Sequence, residues 1–470
     1  MTPDPQSPTR RPSARETWVA ALVCILVTGA AFLLKQSPRP PFADEFAYLA
    51  HGYSLFAHGV FGYLVDPAIA PQSEMFFLPL YPAFLSLLMS LDQTFASSVQ
   101  CILSNMNTDG PLHADPGCAP QYGLAIPVQV LLAGLTLFFV WGTARRLSGS
   151  AKVAALAAIL ALLTKSYIHY ANQFLTEVLT LPLAAALGWA MIAAWQDRSL
   201  KAAALSGLLF GLVTLNRAGW SYAVLVIAPV FLWMGIRLWR ERGPRAFLPA
   251  VMFLGVSAAV VAPWLARNAA LFDKPALTSG YDDMILVQRL SYNRMTPDEL
   301  AASFVYWLPD FGDALAAKLF PKESYARLDF GEPGGFYSGA LETYKAEVDA
   351  KRGAQPRFAY LIEHELLGNL DKHVAVTFAM VWRGMFVGKV WGLVAWAMFL
   401  PLLVWAAVRG WGALVVLALP PVFLLGLNAF VSVSIPRYNL ALIPVLSFSA
   451  AHVLSLGAAW ARARWRGARA

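Results

Sequence analysis

The stretch PFADEFAYLAHGY, residues 41–53, sets two carboxylates, Asp44 and Glu45, side by side just after the first long apolar run. Adjacent carboxylates repel, and each is expensive beside a bilayer unless a partner or water meets it. If residues 42–52 are helical, Asp44, Tyr48 and His51 fall at i, i+4 and i+7 and share one face. A carboxylate, a phenol and an imidazole on one face can take a proton from a hydroxyl and hold a polar substrate. Acids also favour the first turn of any helix through its macrodipole, so the pattern is equally that of a solvated helix start.

A further acid, Glu177, follows Thr176 at the start of a later apolar run. It could cap that helix. It could also converge with Asp44 and Glu45, either to bind a divalent cation through Asp44 and Glu177 or to act as a base. No other cofactor is implied. Four cations sit where apolar runs meet the same side: Lys165, Arg217, Arg267 in PWLARN, and Arg437 in SIPRYN. Such cations meet an anion, for instance a lipid phosphate, or snorkel to ordinary headgroups. HELLG at 364–368 begins like the zinc-protease HExxH, but position 368 is Gly, so the second histidine is missing. There is no P-loop, GxGxxG or CxxC, and a soluble nucleotide site is unsupported.

The elements that must position these residues are membrane helices. The chain is 58% hydrophobic and 14% charged, against roughly a quarter charged in soluble domains. Ten apolar runs have bilayer length, at 17–35, 123–144, 152–171, 177–195, 202–217, 219–239, 247–265, 390–408, 411–431 and 438–460. The first lacks a small-residue cleavage site after it and reads as a retained helix. The fold class is therefore an all-α polytopic membrane protein.

The net charge of +8 does not mark a nucleic-acid surface, because the cations gather at span ends. Arg10, Arg11 and Arg15 precede the first span, and Arg145, Arg146 and Lys152 follow the second. Arg198, Lys201, the group Arg237 to Arg245, Arg409 and the group Arg462 to Arg469 continue the alternation. Basic connections face the cytoplasm, so both termini are inside and DEFAY is outside.

Two long connections fall on the outer side. The first, 36–122, holds the apolar but short FFLPLYPAFLSLLMSL, read as a re-entrant or interfacial helix because a span there would invert the charge pattern. Cys101 and Cys118 both lie in this loop. In an oxidising compartment they are a candidate disulfide worth up to about 3 kcal/mol, the alternative being two free thiols. The second connection, 266–389, is charge-rich and reads as a small, mostly helical outer domain. TPDE at 296–299 carries a capping box, and GEPGGFYSG at 331–339 a flexible loop. The chain thus divides into a transmembrane module with its first outer loop (1–265), an outer domain (266–389) and C-terminal membrane helices (390–470).

Taken in order, ADEFAYLAHGYSLFAHGVFGY, FFLPLYPAFLSLL, TEVLTLPLAAALGWA, GLLFGLVTLNRAGW, APWLARNAALFDKPALTSG and IPRYNLALIPVLSF resemble the GT-C superfamily of membrane glycosyltransferases. The similar groups are the aminoarabinose transferases, the protein O-mannosyltransferases and the rhizobial galacturonosyltransferases. The resemblance implies a GT-C-like bundle of about ten transmembrane helices with outer juxtamembrane helices. It implies a polyprenyl-phosphate-linked sugar donor, reached from the outer face of the cytoplasmic membrane, and a lipid, glycan or protein acceptor. It implies that Asp44, with Glu45 beside it, is catalytic as general base, that Glu177 contributes, and that Arg217, Arg267 and Arg437 hold the donor phosphate. Tyr48, His51 and Lys165 are further substrate-binding candidates. Displacement at the anomeric carbon would invert it. Nothing resembles the WWDYG motif of oligosaccharyltransferases, which disfavours Asn-linked transfer. A secondary transporter or lipid flippase is the alternative, and a non-catalytic scaffold a third. Transporters favour charged or broken helices near the midplane and often internal repeats, whereas the acids here lie at the outer edge and no repeat is visible.

Overall fold

The computed structural model describes residues 12–35, 39–64, 67–107, 113–114 and 117–467. Arg10, Arg11 and Arg469 of the charge pattern lie outside them. In chain order the first helices are α1 (Ala14–Lys35), α2 (Asp44–His58), α3 (Leu80–Leu91) and α4 (Gln93–Ser104). Two-residue strands β1 (Met106–Asn107) and β2 (His113–Ala114) pair antiparallel. Then come α5 (Ala125–Ser148), α6 (Ala151–Leu163), α7 (Ser166–Tyr170), α8 (Glu177–Asp197), α9 (Leu200–Asn216), α10 (Val224–Arg242) and α11 (Leu248–Phe272). Helices α12 (Tyr281–Ser291), α13 (Pro297–Tyr306), α14 (Gly312–Leu319), α15 (Lys345–Arg352), α16 (Arg357–Tyr360) and α17 (Leu370–Gly384) follow. The chain closes with α18 (Val390–Val408), α19 (Gly412–Val431) and α20 (Ile443–Gly467).

Seven helical stretches among the described residues are long and apolar enough to cross a membrane: 14–35, 125–148, 177–197, 218–272, 390–408, 412–431 and 436–466. The stretch 218–272 holds both α10 and α11, which turn at Gly243. Helices α6 and α9 are apolar but shorter. The run expected at 152–171 is broken, because Lys165 takes a left-handed conformation (φ 60°) between α6 and α7. Helix α3, expected to be re-entrant or interfacial, has 12 residues. At 1.5 Å per residue it reaches roughly 18 Å, short of the roughly 30 Å hydrocarbon core.

The chain divides into two compact units. One runs to Leu277 and takes in Met398–Leu419 and the chain from Ile443. Its helix starts follow local capping. The hydroxyls of Ser150 and Ser199 accept from Val153 N and Ala202 N at the heads of α6 and α9. Helices α9 and α11 cross closely, and a Cβ at Gly207 would lie 2.4 Å from the Phe253 carbonyl oxygen. Small residues allow such approach between membrane helices. In the long loop between α1 and α5, Asp92 caps α4 through Thr94 N and Phe95 N, and its other oxygen accepts from Leu124 N at 2.6 Å. The Leu124 bond, then the two capping bonds, hold this carboxyl below its ordinary range. A disulfide joins Cys101 and Cys118 within the same loop.

The other unit comprises Thr278–Ala397 and Pro420–Leu442. TPDE forms its capping box: Glu299 N donates to Thr296 Oγ1 and Thr296 N to Glu299 Oε2. Arg327 grips the same Glu299 at 2.7 and 2.8 Å. Tyr292, Met295, Leu328, Phe336, Val376 and Met380 make the core.

Gly123 sits at φ +43°, and a Cβ there would overlap the Asp92 carboxylate. Gly123→Ala is therefore expected to destabilise the protein by about 1–3 kcal/mol. Thermal unfolding in detergent measures the loss, and Asp92→Gly in the same background should recover the clash term but not the cap.

Candidate functional site

The two adjacent carboxylates are treated very differently. Glu45 is 2% exposed. Its Oε2 accepts from Phe42 N at 2.8 Å and pairs with Arg39 Nη2 at 2.9 Å, and its Oε1 accepts from Phe174 N at 2.7 Å. Burial nevertheless pushes its pKa above the ordinary value, against the lowering pull of Arg39 and the two backbone donors. Asp44, one residue earlier, is exposed at the first position of α2. Ala43 before it has φ 51° and ψ −118°, a conformation that non-glycine residues rarely adopt. Flanking bonds hold it there: Glu45 N donates to Phe42 O and Phe46 N to Ala43 O, both at 3.2 Å.

Helix α2 begins two residues later than expected and places Asp44, Tyr48 and His51 in sequence along its length. Exposure falls along that row: Asp44 is open, Tyr48 half-buried and His51 fully buried. His51 is occupied by the protein. Its Nδ1 meets the Ala47 carbonyl at 2.6 Å and its Nε2 meets Glu74 Oε1 at 2.5 Å. A carbonyl can only accept, so Nδ1 donates to Ala47 O and Nε2 is the ring nitrogen that faces Glu74. Tyr48 packs edge-on against Phe77 and Tyr81.

Glu177 is 1% exposed and heads α8. Arg217 Nη1 donates to its Oε1 at 3.0 Å. The loop before it is pinned from three helices or their flanks. Gln129 Nε2 in α5 donates to Ala171 O (3.1 Å) and Gln173 O (3.3 Å), Asn216 Nδ2 donates to Thr176 O (2.8 Å), and Phe174 N is held by Glu45. Tyr81 lies within the field of both acids. Its hydroxyl donates to Gln129 Oε1 at 3.0 Å, and its pKa is pushed well above the ordinary value by complete burial, then by the charges of Glu45 and Glu177. The α1–α5 loop and the α7–α8 loop thus meet near Tyr81.

Arg267 is half-buried and grips the chain between α2 and α3. Its Nη1 donates to Glu74 O at 3.0 Å and to Asn268 Oδ1 at 2.8 Å, and its Nη2 to Phe61 O at 3.4 Å. The rings of Phe61, Trp264 and Phe272 surround it. Lys165 is exposed at the break after α6. Arg437 belongs to the second unit, in the turn Pro436–Leu442. Among the described residues no cluster of three or more His, Cys, Asp or Glu could hold a metal ion. With Arg217 on Glu177, the pair Asp44 and Glu177 does not fit a cation, and no step is routed through one. Arg39, Glu74, Tyr81, Gln129 and Asn216 were not singled out from the sequence. The visible signals were an acid directly before the apolar run MFFLPLYPAFL (Glu74) and lone amides in apolar runs (Gln129, Asn216).

Residues 123–266 match the family model of dolichyl-phosphate-mannose-protein mannosyltransferase. This segment carries Gln129, Glu177 and Arg217 but stops short of Arg267 and does not reach back to Asp44. The match agrees with the resemblance to GT-C glycosyltransferases. No curated protein matches the chain at a significant level. Among solved structures, ArnT from Cupriavidus metallidurans bound to undecaprenyl phosphate is 14% identical, with 94% of this chain and 61% of that one covered and a TM-score of 0.46. The S. cerevisiae protein O-mannosyltransferase Pmt1-Pmt2 complex bound to the sugar donor is 17% identical, covering 60% of this chain and 37% of that one at a TM-score of 0.43. This chain therefore spans less than two thirds of the length of either.

Two outcomes follow from the buried acids. Arg217→Ala removes the guanidinium from a buried Glu177 and should cost about 2–3 kcal/mol, the lower end for a pair whose arginine is partly open. Adding Glu177→Gln should recover part of it in a thermal double-mutant cycle. For Glu45, a folded pKa raised above the unfolded one means that the native state binds more protons in that window. Its contribution to stability is complete below about pH 4.5 and declines as pH rises through the folded pKa. The stability advantage of the wild type over Glu45→Gln should narrow across that rise, as followed by unfolding at stepped pH.

Proposed function

We propose that this protein is a membrane glycosyltransferase. It moves a sugar from a polyprenyl-phosphate donor to a hydroxyl of a lipid, glycan or protein acceptor, at the outer face of the cytoplasmic membrane. The observation that carries the reading is the split between the two acids: Glu45 is spent on holding the backbone, and Asp44 beside it is presented to solvent. The mannosyltransferase family match over residues 123–266 supports the same chemistry.

In this reading Asp44 takes the proton of the acceptor hydroxyl. The freed oxygen pair attacks the anomeric carbon from the side opposite the phosphate. The bond from that carbon to the phosphate oxygen breaks, the phosphate leaves with its electron pair, and the configuration inverts. Phosphate is already a competent leaving group, so the enzyme's tasks are proton removal, alignment and charge stabilisation. Arg267, locked onto the Phe61–Glu74 loop, is the first-unit cation assigned to the phosphate charge. Tyr48, half-buried one turn after Asp44, lines the approach. His51 and Glu74 act from beneath by holding α2 to the loop.

The test uses the full-length protein in proteoliposomes with a panel of polyprenyl-phosphate sugars and extracted envelope acceptors. Transfer to a product is expected for the wild type. Asp44→Asn should lower kcat by about 10²–10⁴ while the unfolding temperature stays within a degree or two. No transfer from any donor, or full activity in Asp44→Asn, would overturn the reading.

A further inference from the structure

The second unit encloses an arginine, Arg383, that meets no anion among the described residues. Arg383, in the last turn of α17, is 9% exposed. The described residues give its guanidinium one hydrogen bond, to the Tyr292 hydroxyl at 2.9 Å, and no ion pair. Ring faces supply the rest of its surroundings. Its Cζ lies 4.9 Å from the centre of the Trp307 ring and 5.8 Å from those of Tyr292 and Phe330. On Trp307 itself, Nε1 is sealed from solvent and has no acceptor among the described residues. Cation–π contact offsets part of the desolvation of a guanidinium, but open buried donors remain costly.

The same unit shows what a purely structural arginine looks like here. Arg289 is fully buried, and each of its three nitrogens has an acceptor: Ala429 O (2.7 Å), Asn293 Oδ1 (2.9 Å), Thr377 Oγ1 (2.9 Å) and His373 O (3.2 Å). Arg327 is held by both oxygens of Glu299. Arg383 has neither kind of partner, although it lies as deep as ordinary core. One wall of its nest is also the most open one. Phe330 is 42% exposed, stacks on Tyr337 and leads into the glycine-rich segment 331–339. Asp329, just before it, is tethered by the Tyr306 hydroxyl at 3.3 Å.

We propose that Arg383, Trp307 and Tyr292, walled by Phe330, form a binding site for an anionic sugar, a pyranose carrying a carboxylate or a phosphate. The guanidinium fork matches the paired oxygens of either group. The indole N–H and the phenol supply further polar partners, and the ring faces offer an apolar platform for the C–H face of the sugar. Entry requires displacement of the Phe330 ring. The site stands on its own geometry. Its assignment to a glycan rests on the glycosyltransferase reading and names the chemical class of sugar that the protein handles.

The experiment measures binding by titration calorimetry and tryptophan fluorescence on the full-length protein in detergent. The probes are galacturonate, galactose 1-phosphate, galactose and inorganic phosphate. At least one of the two anionic sugars should bind tenfold or more tightly than galactose and than inorganic phosphate, and which one does so tells carboxylate from phosphate. Arg383→Gln should weaken that binding at least tenfold. Trp307→Phe keeps an aromatic ring beside the guanidinium but removes the indole N–H, which has no acceptor among the described residues, and it should weaken binding severalfold in protein that still unfolds cooperatively. The proposal is overturned if neither anionic sugar binds or if binding survives both substitutions. Equal affinity for inorganic phosphate and the sugar phosphate, with no galacturonate binding, would overturn the sugar assignment. Because the readout is binding, a failure to detect sugar transfer would count against the glycosyltransferase reading and leave this result standing.

Discussion

One buried carboxylate organises the candidate site. Glu45 has little exposure to water, so its charge must be met by the protein, and three donors from separate places meet it: Arg39, Phe42 N and Phe174 N. Those bonds fasten the chain before α2 to the loop before α8. Because Glu45 must face inward, the strained turn at Ala43 leaves Asp44 outward at the helix start. The cost of burying one acid is thus what presents the other. Water at the same helix start stabilises Asp44, as does the N-terminal end of the helix dipole.

Around that anchor the first unit repeats one device: polar side chains set in apolar helices reach out to hold loop backbone. Gln129 holds Ala171 and Gln173, Asn216 holds Thr176, and Arg267 holds Phe61 and Glu74. Loops at a membrane face carry many backbone groups that need partners, and fixing them from rigid helices keeps a site in register. The His51–Glu74 pair serves the same purpose from α2. In the second unit the buried Arg289 has acceptors on all three nitrogens, whereas Arg383 is surrounded mainly by rings.

Much of this was legible in the sequence, for physical reasons. Apolar runs report membrane helices because an unpaired backbone cannot face lipid, and the helices found follow the runs, apart from the break at Lys165. The capping box at Thr296 and Glu299 was readable because its chemistry is local. The Asp44, Tyr48 and His51 spacing indicated a shared helix, but not the burial gradient along it. That gradient depends on Glu74, which is 23 residues away from His51. Nor could spacing tell Asp44 from Glu45, since the difference lies in Phe174 N, 129 residues distant from Glu45. Two cations expected to meet a lipid phosphate also have protein partners, Arg217 on Glu177 and Arg267 on loop carbonyls. Long-range pairing of this kind leaves no periodic trace.

The central claim is that position 44 faces outer water while position 45 does not. Side-specific thiol labelling tests it most directly, and the native background is low: Cys24 is buried, and Cys101 and Cys118 are joined. Asp44→Cys and Glu45→Cys would be made in turn and exposed to a membrane-impermeant maleimide, in right-side-out and in inverted vesicles. The account predicts fast labelling of Asp44→Cys in right-side-out vesicles only, and little labelling of Glu45→Cys from either side. Labelling of Asp44→Cys only in inverted vesicles, or its protection in both while Glu45→Cys reacts, would contradict it.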